Sequence, residues 1–166
     1  MSKSIVVLFA AVLFFTAFSC EKEGDERTWE KEMEELDVML ADLESKGVDI
    51  DTTHLSVYYH VLRTGEGIYP KAGDTLYVSF VGFIPSGKKI EDSNELHPPK
   101  GIWKCLYKPQ HSVTGFIDAL SYLNKGAEIE MYIPSDRAYG KNGGPNVPPY
   151  TTLIYRARMH DVVRPE

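Results

Sequence analysis

Residues 132–155 read YIPSDRAYGKNGGPNVPPYTTLIY, two strand-like runs held apart by a long turn-rich loop. Apolar and polar positions alternate before Asp136, and the alternation resumes after Tyr150, as it does in half-buried β-strands. Between them Gly140, Gly143, Gly144, Pro145, Pro148 and Pro149 contribute almost no core. A Gly/Pro loop of this length, edged by the aromatic residues Tyr139 and Tyr150, reads as a functional surface loop.

The same two-residue period extends outward from this stretch. Residues 127–133 place Ile129, Met131 and Ile133 on one face and Glu128, Glu130 and Tyr132 on the other. After the loop, Leu153, Tyr155, Ala157 and Met159 alternate against Ile154, Arg156, Arg158 and His160. Residues 55–62, LSVYYHVL, predict a first strand, and residues 75–83 a second, with Leu76, Val78 and Phe80 sharing a face. Turns are expected at 64–67, 71–74 and 84–87, where Pro85 fixes φ and Gly87 supplies the left-handed position. Residues 93–101, with Pro98 and Pro99, read as a loop, and residues 102–107 as a short strand carrying Trp103. Phe116, Leu120 and Leu123, with Ala119 beside them and Gly126 after, predict one short helix. The sum is an α+β fold: a mostly antiparallel sheet with one face buried under that helix.

Charge divides unevenly along the 166 residues. Residues 21–46 hold eleven acids against four bases, whereas residues 47–166 hold thirteen of each. The globular part is therefore neutral, without the basic footprint a nucleic-acid partner requires. Residues 1–19 begin with Lys3 and continue as an apolar run of fourteen residues, 5–18, interrupted only by Thr16. That is too short to span a bilayer and reads as a signal peptide, with Ala17 and Ser19 as its small-residue cleavage site. Cys20 directly after it resembles the lipobox cysteine of bacterial lipoproteins, although an incidental cysteine in a secreted protein fits the same spacing. The lipoprotein resemblance implies a lipid-anchored protein of a Gram-negative cell envelope, at the outer membrane. The acidic tether over 20–27 is similar to the surface-export signal of Bacteroidetes lipoproteins. With Cys20 acylated, Cys105 is left without a disulfide partner and reads as a small buried apolar residue.

Trp29, Met33, Leu36, Leu40 and Leu43 recur at helical spacing within 28–47, with Thr28 as N-cap and Gly47 as the stop. The other face is mostly acidic. A stripe shorter than three heptads is expected either to dock on the globular domain, 52–166, or to form a weak homodimer through 29–43.

Several motifs in order then resemble the FKBP-type peptidyl-prolyl cis-trans isomerases. They are Val78-Ser-Phe-Val-Gly82, Gly87-Lys-Lys-Ile-Glu-Asp-Ser93, Val113-Thr-Gly-Phe116 with Ala119-Leu120, Pro134-Ser-Asp-Arg-Ala-Tyr-Gly140, Val147-Pro-Pro149 and Thr152-Leu-Ile-Tyr155. The resemblance implies a twisted sheet of about five strands wrapped on a short helix. It implies a proline pocket on Phe80, Ile90, Trp103, Val113, Phe116, Tyr139, Val147 and Tyr155, with an acidic residue that is either Glu91 or Asp92. Ile90 replaces the family's usual aromatic wall, and Phe116 stands where some members have tryptophan. From periodicity alone the same aromatics fit an ordinary core.

The implied partners are proline-containing unfolded polypeptides, and the implied activity is rotation about X-Pro bonds. That chemistry needs no nucleophile, metal or cofactor, because the barrier is amide resonance. The scattered histidines, without ligand spacing, and the lack of a Ser/His/Asp or Cys/His constellation agree with it. Gly140 to Gly144 is not a phosphate loop, since no Lys-Ser/Thr follows. A catalytically weak binding or chaperone module of the same fold is the alternative.

Overall fold

A computed structural model of the chain describes residues 26–108 and 113–166; the signal segment, Cys20 and most of the acidic tether lie outside the described residues. The elements run α1 (Trp29–Ser45), β1 (Asp51–Thr52), β2 (Tyr58–Arg63), β3 (Thr75–Phe83), β4 (Lys89–Asp92), α2 (Ser93–Leu96), β5 (Trp103–Leu106), α3 (Thr114–Leu120), β6 (Glu128–Ile133) and β7 (Leu153–Val163). Short 3-10 turns at Ser135–Arg137 and Gly140–Asn142 shape the β6–β7 loop.

The sheet is ordered β1-β2-β6-β7-β3-β4, with β5 also on β3, and every pairing is antiparallel. The expected count of about five strands corresponds to five lanes. β4 and β5 divide one edge of β3 between them, β5 taking residues 75–78 and β4 residues 81–83. The added strand β1 forms a small hairpin with β2. That hairpin also moves the start of the first long strand from 55 to Tyr58. Ser56 adopts a positive φ of 61°, and Thr53 N donates to Val57 O at 2.8 Å, so residues 53–57 turn instead of extending.

Alternation decides which side chains enter the core. On β3, Leu76, Val78, Phe80 and Gly82 are buried while their neighbours are half-exposed. On β7, Leu153, Tyr155, Ala157 and Met159 are buried on the same side of the sheet, packed in one cluster with Phe116, Ile117, Ala119 and Leu120 of α3. Leu123 is fully buried but lies beyond the regular helix, in a run of i→i+3 bonds from Ser121, Tyr122 and Leu123. Cys105 joins this cluster, and burial pushes its thiol up to about 11, which leaves it protonated and unreactive at neutral pH.

The opposite face is partly covered too. Tyr132, opposite Ile154 and Tyr58 in register, points away from α3, and α1 packs there. Leu36 and Leu40 are buried against Tyr132, with Met33, Met39, Leu43, Tyr58 and Ile154 around them. The stripe docks on the domain, as one of its two expected uses; Val38, 66% exposed, belongs to the outer face. Thr28 Oγ1 accepts from Lys31 N at 3.3 Å as the N-cap, and Gly47, with φ of 80°, ends the helix. Among the described residues no helix is long and apolar enough to cross a membrane.

Candidate functional site

The concave face holds a cavity of about 240 Å³ lined by Phe80, Glu91, Leu96, His97, Trp103, Val113, Phe116, Ile117, Tyr139 and Tyr155. Its walls are aromatic and meet edge to face. Phe80 stands 5.3 Å from Phe116, 6.0 Å from Trp103 and 6.1 Å from Tyr155, ring centre to ring centre. Phe116 lies 4.9 Å from Tyr155 and 6.4 Å from Trp103. Tilted and T-shaped contacts of this kind are the favoured arrangement of aromatic quadrupoles, so the rings hold one another in place. Phe116, at the start of α3, touches three of the others and forms the floor.

Polar groups are few. The Tyr155 hydroxyl donates to Glu91 Oε2 at 3.0 Å, and burial together with the Glu91 carboxylate raises its pKa well above that of an ordinary phenol. Tyr139 is raised for the same two reasons, burial first. Both phenols therefore keep their protons, and each can serve only as a neutral hydrogen-bond group near neutral pH. The His97 ring stacks over Trp103 at 6.5 Å.

The loop that carries Tyr139 is closed by its own backbone. Gly144 and Val147 exchange hydrogen bonds of 2.9 and 3.0 Å, and Tyr150 N donates to Gly140 O at 3.0 Å. Gly144 lies flat on Tyr139; a Cβ there would sit 2.6 Å from the ring. Val147 is buried in the core cluster beneath the loop, so it anchors the loop without lining the cavity.

Two other residues expected at the pocket also lie elsewhere. Between Gly82↔Glu91 and Phe83↔Lys89 the β3–β4 register slips, and Ile90 is the extra residue of a bulge. It packs half-buried on the core margin. Asp92 caps α2 by accepting from Asn94 N at 2.8 Å and pairs with Lys89 Nζ at 3.2 Å. Glu91 is the acid that reaches the cavity.

Ile117, Leu96 and His97 were not anticipated. Ile117 follows Phe116 in the helix. Residues 93–101 were expected to be loop throughout, whereas Ser93–Leu96 is a turn of helix that lifts Leu96 and His97 to the cavity rim. The signal was present as Asp92 followed three residues later by Glu95, the spacing of a capping box. Ser93, almost fully buried, also accepts from Phe80 N at 2.9 Å and so fixes the strand beneath the cavity.

A sheet curled on a short helix around an aromatic cavity is the frame of a small α+β binding domain. The chain belongs to the FKBP-type peptidyl-prolyl cis-trans isomerase family, whose pattern matches residues 66–160. It is 32% identical over 117 residues to the FKBP-type isomerase FkpA of Escherichia coli (strain K12), covering 70% of this chain and 41% of that protein. To a probable FKBP-type isomerase of Haemophilus influenzae it is 30% identical over 119 residues, covering 71% of this chain and 47% of the relative. The chain thus spans less than half the length of these relatives. The crystal structure of Escherichia coli FkpA superposes with a TM-score of 0.67 at 26% identity, covering 81% of this chain and 60% of that one. An isomerase structure from Pseudomonas syringae gives 0.68 at 22% identity, a likeness of fold.

Proposed function

We propose that the chain catalyses cis-trans isomerisation of X-Pro bonds in unfolded or partly folded polypeptides, from a lipid anchor at Cys20 in the outer membrane of a Gram-negative cell envelope. The observation that carries the catalytic reading is the cavity: about 240 Å³, walled by Phe80, Trp103, Phe116 and Tyr155. That is smaller than the cavities that take drug-sized ligands, and it suits one pyrrolidine ring.

The chemistry follows from what the site holds. Rotation must overcome about 18–20 kcal/mol of amide resonance, and a twisted amide has lost part of its charge separation. Apolar walls that exclude water favour that state over the planar one, which is the differential binding catalysis requires. The Tyr139 hydroxyl, at the cavity wall and protonated, is the donor placed to bind the substrate carbonyl, with a backbone N–H of the loop as the other source.

The test is refolding of an unfolded protein whose slow phase is limited by a prolyl bond. The full chain is expected to accelerate that phase at substoichiometric concentration. An unchanged slow phase, with aggregation suppressed, would assign the chain to the chaperone or binding class instead.

The anchor is supported by the apolar run 5–18 followed by Cys20 and an acidic tether. Cys20→Ala is expected to move the protein from the membrane fraction to the soluble fraction. Unchanged fractionation would sink the anchor.

A further inference from the structure

Glu32 is an anomaly of α1: a carboxylate on a mostly acidic helix, yet with no solvent exposure. Positions 29, 32, 36 and 40 share a face, so docking Leu36 and Leu40 on Tyr132 carries Glu32 inward as well. Its oxygens meet a prepared set of donors. Glu32 Oε1 accepts from Ser135 N at 2.7 Å and from Thr152 Oγ1 at 2.9 Å, and Oε2 accepts from Ser135 Oγ. Ser135 lies two residues after β6 ends and Thr152 immediately before β7 begins. One side chain therefore ties together both roots of the 134–152 loop.

A second tie lies at the helix N-terminus. The Arg27 guanidinium donates twice to Tyr150 O, at 3.2 and 3.0 Å, while its Nη2 pairs with Glu35 at 2.7 Å. Tyr150 holds a positive φ of 45°, a backbone state that costs a non-glycine residue energy and persists where its surroundings fix it. The two pocket tyrosines leave from the segments so held: Tyr139 four residues after Ser135, Tyr155 three after Thr152.

Stability alone gives little reason for this arrangement. A buried carboxylate must recover a large desolvation cost, and apolar replacement of such groups is often neutral. Directional acceptors, by contrast, fix where a loop root sits. We propose that α1 is a splint for the cavity's lip, with Glu32 as its positioning residue and Arg27 as a second clamp; this rests on reading the cavity as an X-Pro site. The helix lies on the far face of the sheet and reaches the cavity's lip through the loop roots.

The experiment uses the full chain with three substitutions, each assayed at a temperature where near-UV circular dichroism shows native packing. For Glu32→Ala, kcat/KM on an X-Pro tetrapeptide is expected to fall roughly ten- to hundredfold, the scale of a misplaced catalytic contact. Glu32→Gln keeps an acceptor for Ser135 N and should recover to within about threefold. Arg27→Ala, at the surface, should lose about two- to fivefold, and it stands in if Glu32→Ala does not fold.

The independent readout is amide exchange at Arg137, Ala138, Gly144, Val147 and Tyr150, all hydrogen-bonded in the loop. Their protection should drop in Glu32→Ala while that of β3 is kept. Native kcat/KM in a folded Glu32→Ala chain overturns the proposal, whether or not exchange changes. If the unsubstituted chain shows no isomerase activity, the functional reading fails by itself, and loop exchange alone then decides: unchanged protection overturns the splint, selective loss supports it.

Discussion

Phe116→Ala is expected to lower kcat/KM toward X-Pro peptides by roughly ten- to hundredfold. Phe116 is the floor of the cavity and touches Phe80, Trp103 and Tyr155. Removing it takes away apolar contact with the bound ring worth about 1.5–3 kcal/mol, and each 1.36 kcal/mol is about tenfold in rate. The walls also lose their mutual support, since each aromatic pair holds about 0.5–1.5 kcal/mol beyond simple burial. The same change destabilises the fold, by about 3–5 kcal/mol for a buried Phe→Ala. Activity is therefore measured where near-UV circular dichroism shows a native fold, with Phe116→Leu alongside. Leucine restores most of the volume and should lose less than about tenfold. Native activity in a folded Phe116→Ala chain would remove the cavity from the mechanism.

The second large effect is expected from the addition of one methyl group. Gly82 on β3 faces Tyr155 on β7, and a Cβ at Gly82 would sit 2.5 Å from Tyr155 Cε1 and 2.7 Å from Cζ. The ring has nowhere to retreat: it is 2% exposed, wedged between Phe80 and Phe116, and tied through its hydroxyl to Glu91. Overpacking of this kind costs about 1–3 kcal/mol, and loss of the charge-assisted Tyr155 to Glu91 hydrogen bond adds about 1.5–3 kcal/mol. Gly82→Ala should therefore lower Tm by on the order of 10 °C and weaken peptide binding with it. A Tm within about 2 °C of the parent chain would show that the sheet can yield there.

Glycine at 82 illustrates what the sequence discloses and what it hides. Strand parity was legible: Phe80 and Tyr155 could be placed on the covered side of β3 and β7 by counting, and the stripe of α3 pointed Phe116 at the same space. The order of motifs located Trp103, Val113 and Tyr139 near it and left the acid open between Glu91 and Asp92; the structure lines one cavity with those three and Glu91. Counting failed where the chain breaks its own period. The bulge at Ile90 shifts the inward position to Glu91 and leaves Asp92 free to cap α2, so one extra residue decides between two acids. Val147 sits in a loop without period, and its place in the core shows only in its burial. Glu32 was hidden for a different reason: in a helix with so many acids, nothing local marks the one whose partners lie more than a hundred residues away.

The position of β7 has a kinetic side. The final strand of the fold lies at its centre, paired with β6 on one edge and with β3 on the other across residues as distant as Thr75 and Val163. Until residues 153–163 are available, the earlier strands make two fragments, β1-β2-β6 and β3-β4-β5, with no strand pairing between them. Sheet assembly must then close loops of some eighty residues late, a high-contact-order step that is slow and exposes strand edges meanwhile. A chain emerging from a ribosome would complete its sheet only once residues 153–163 had cleared the exit.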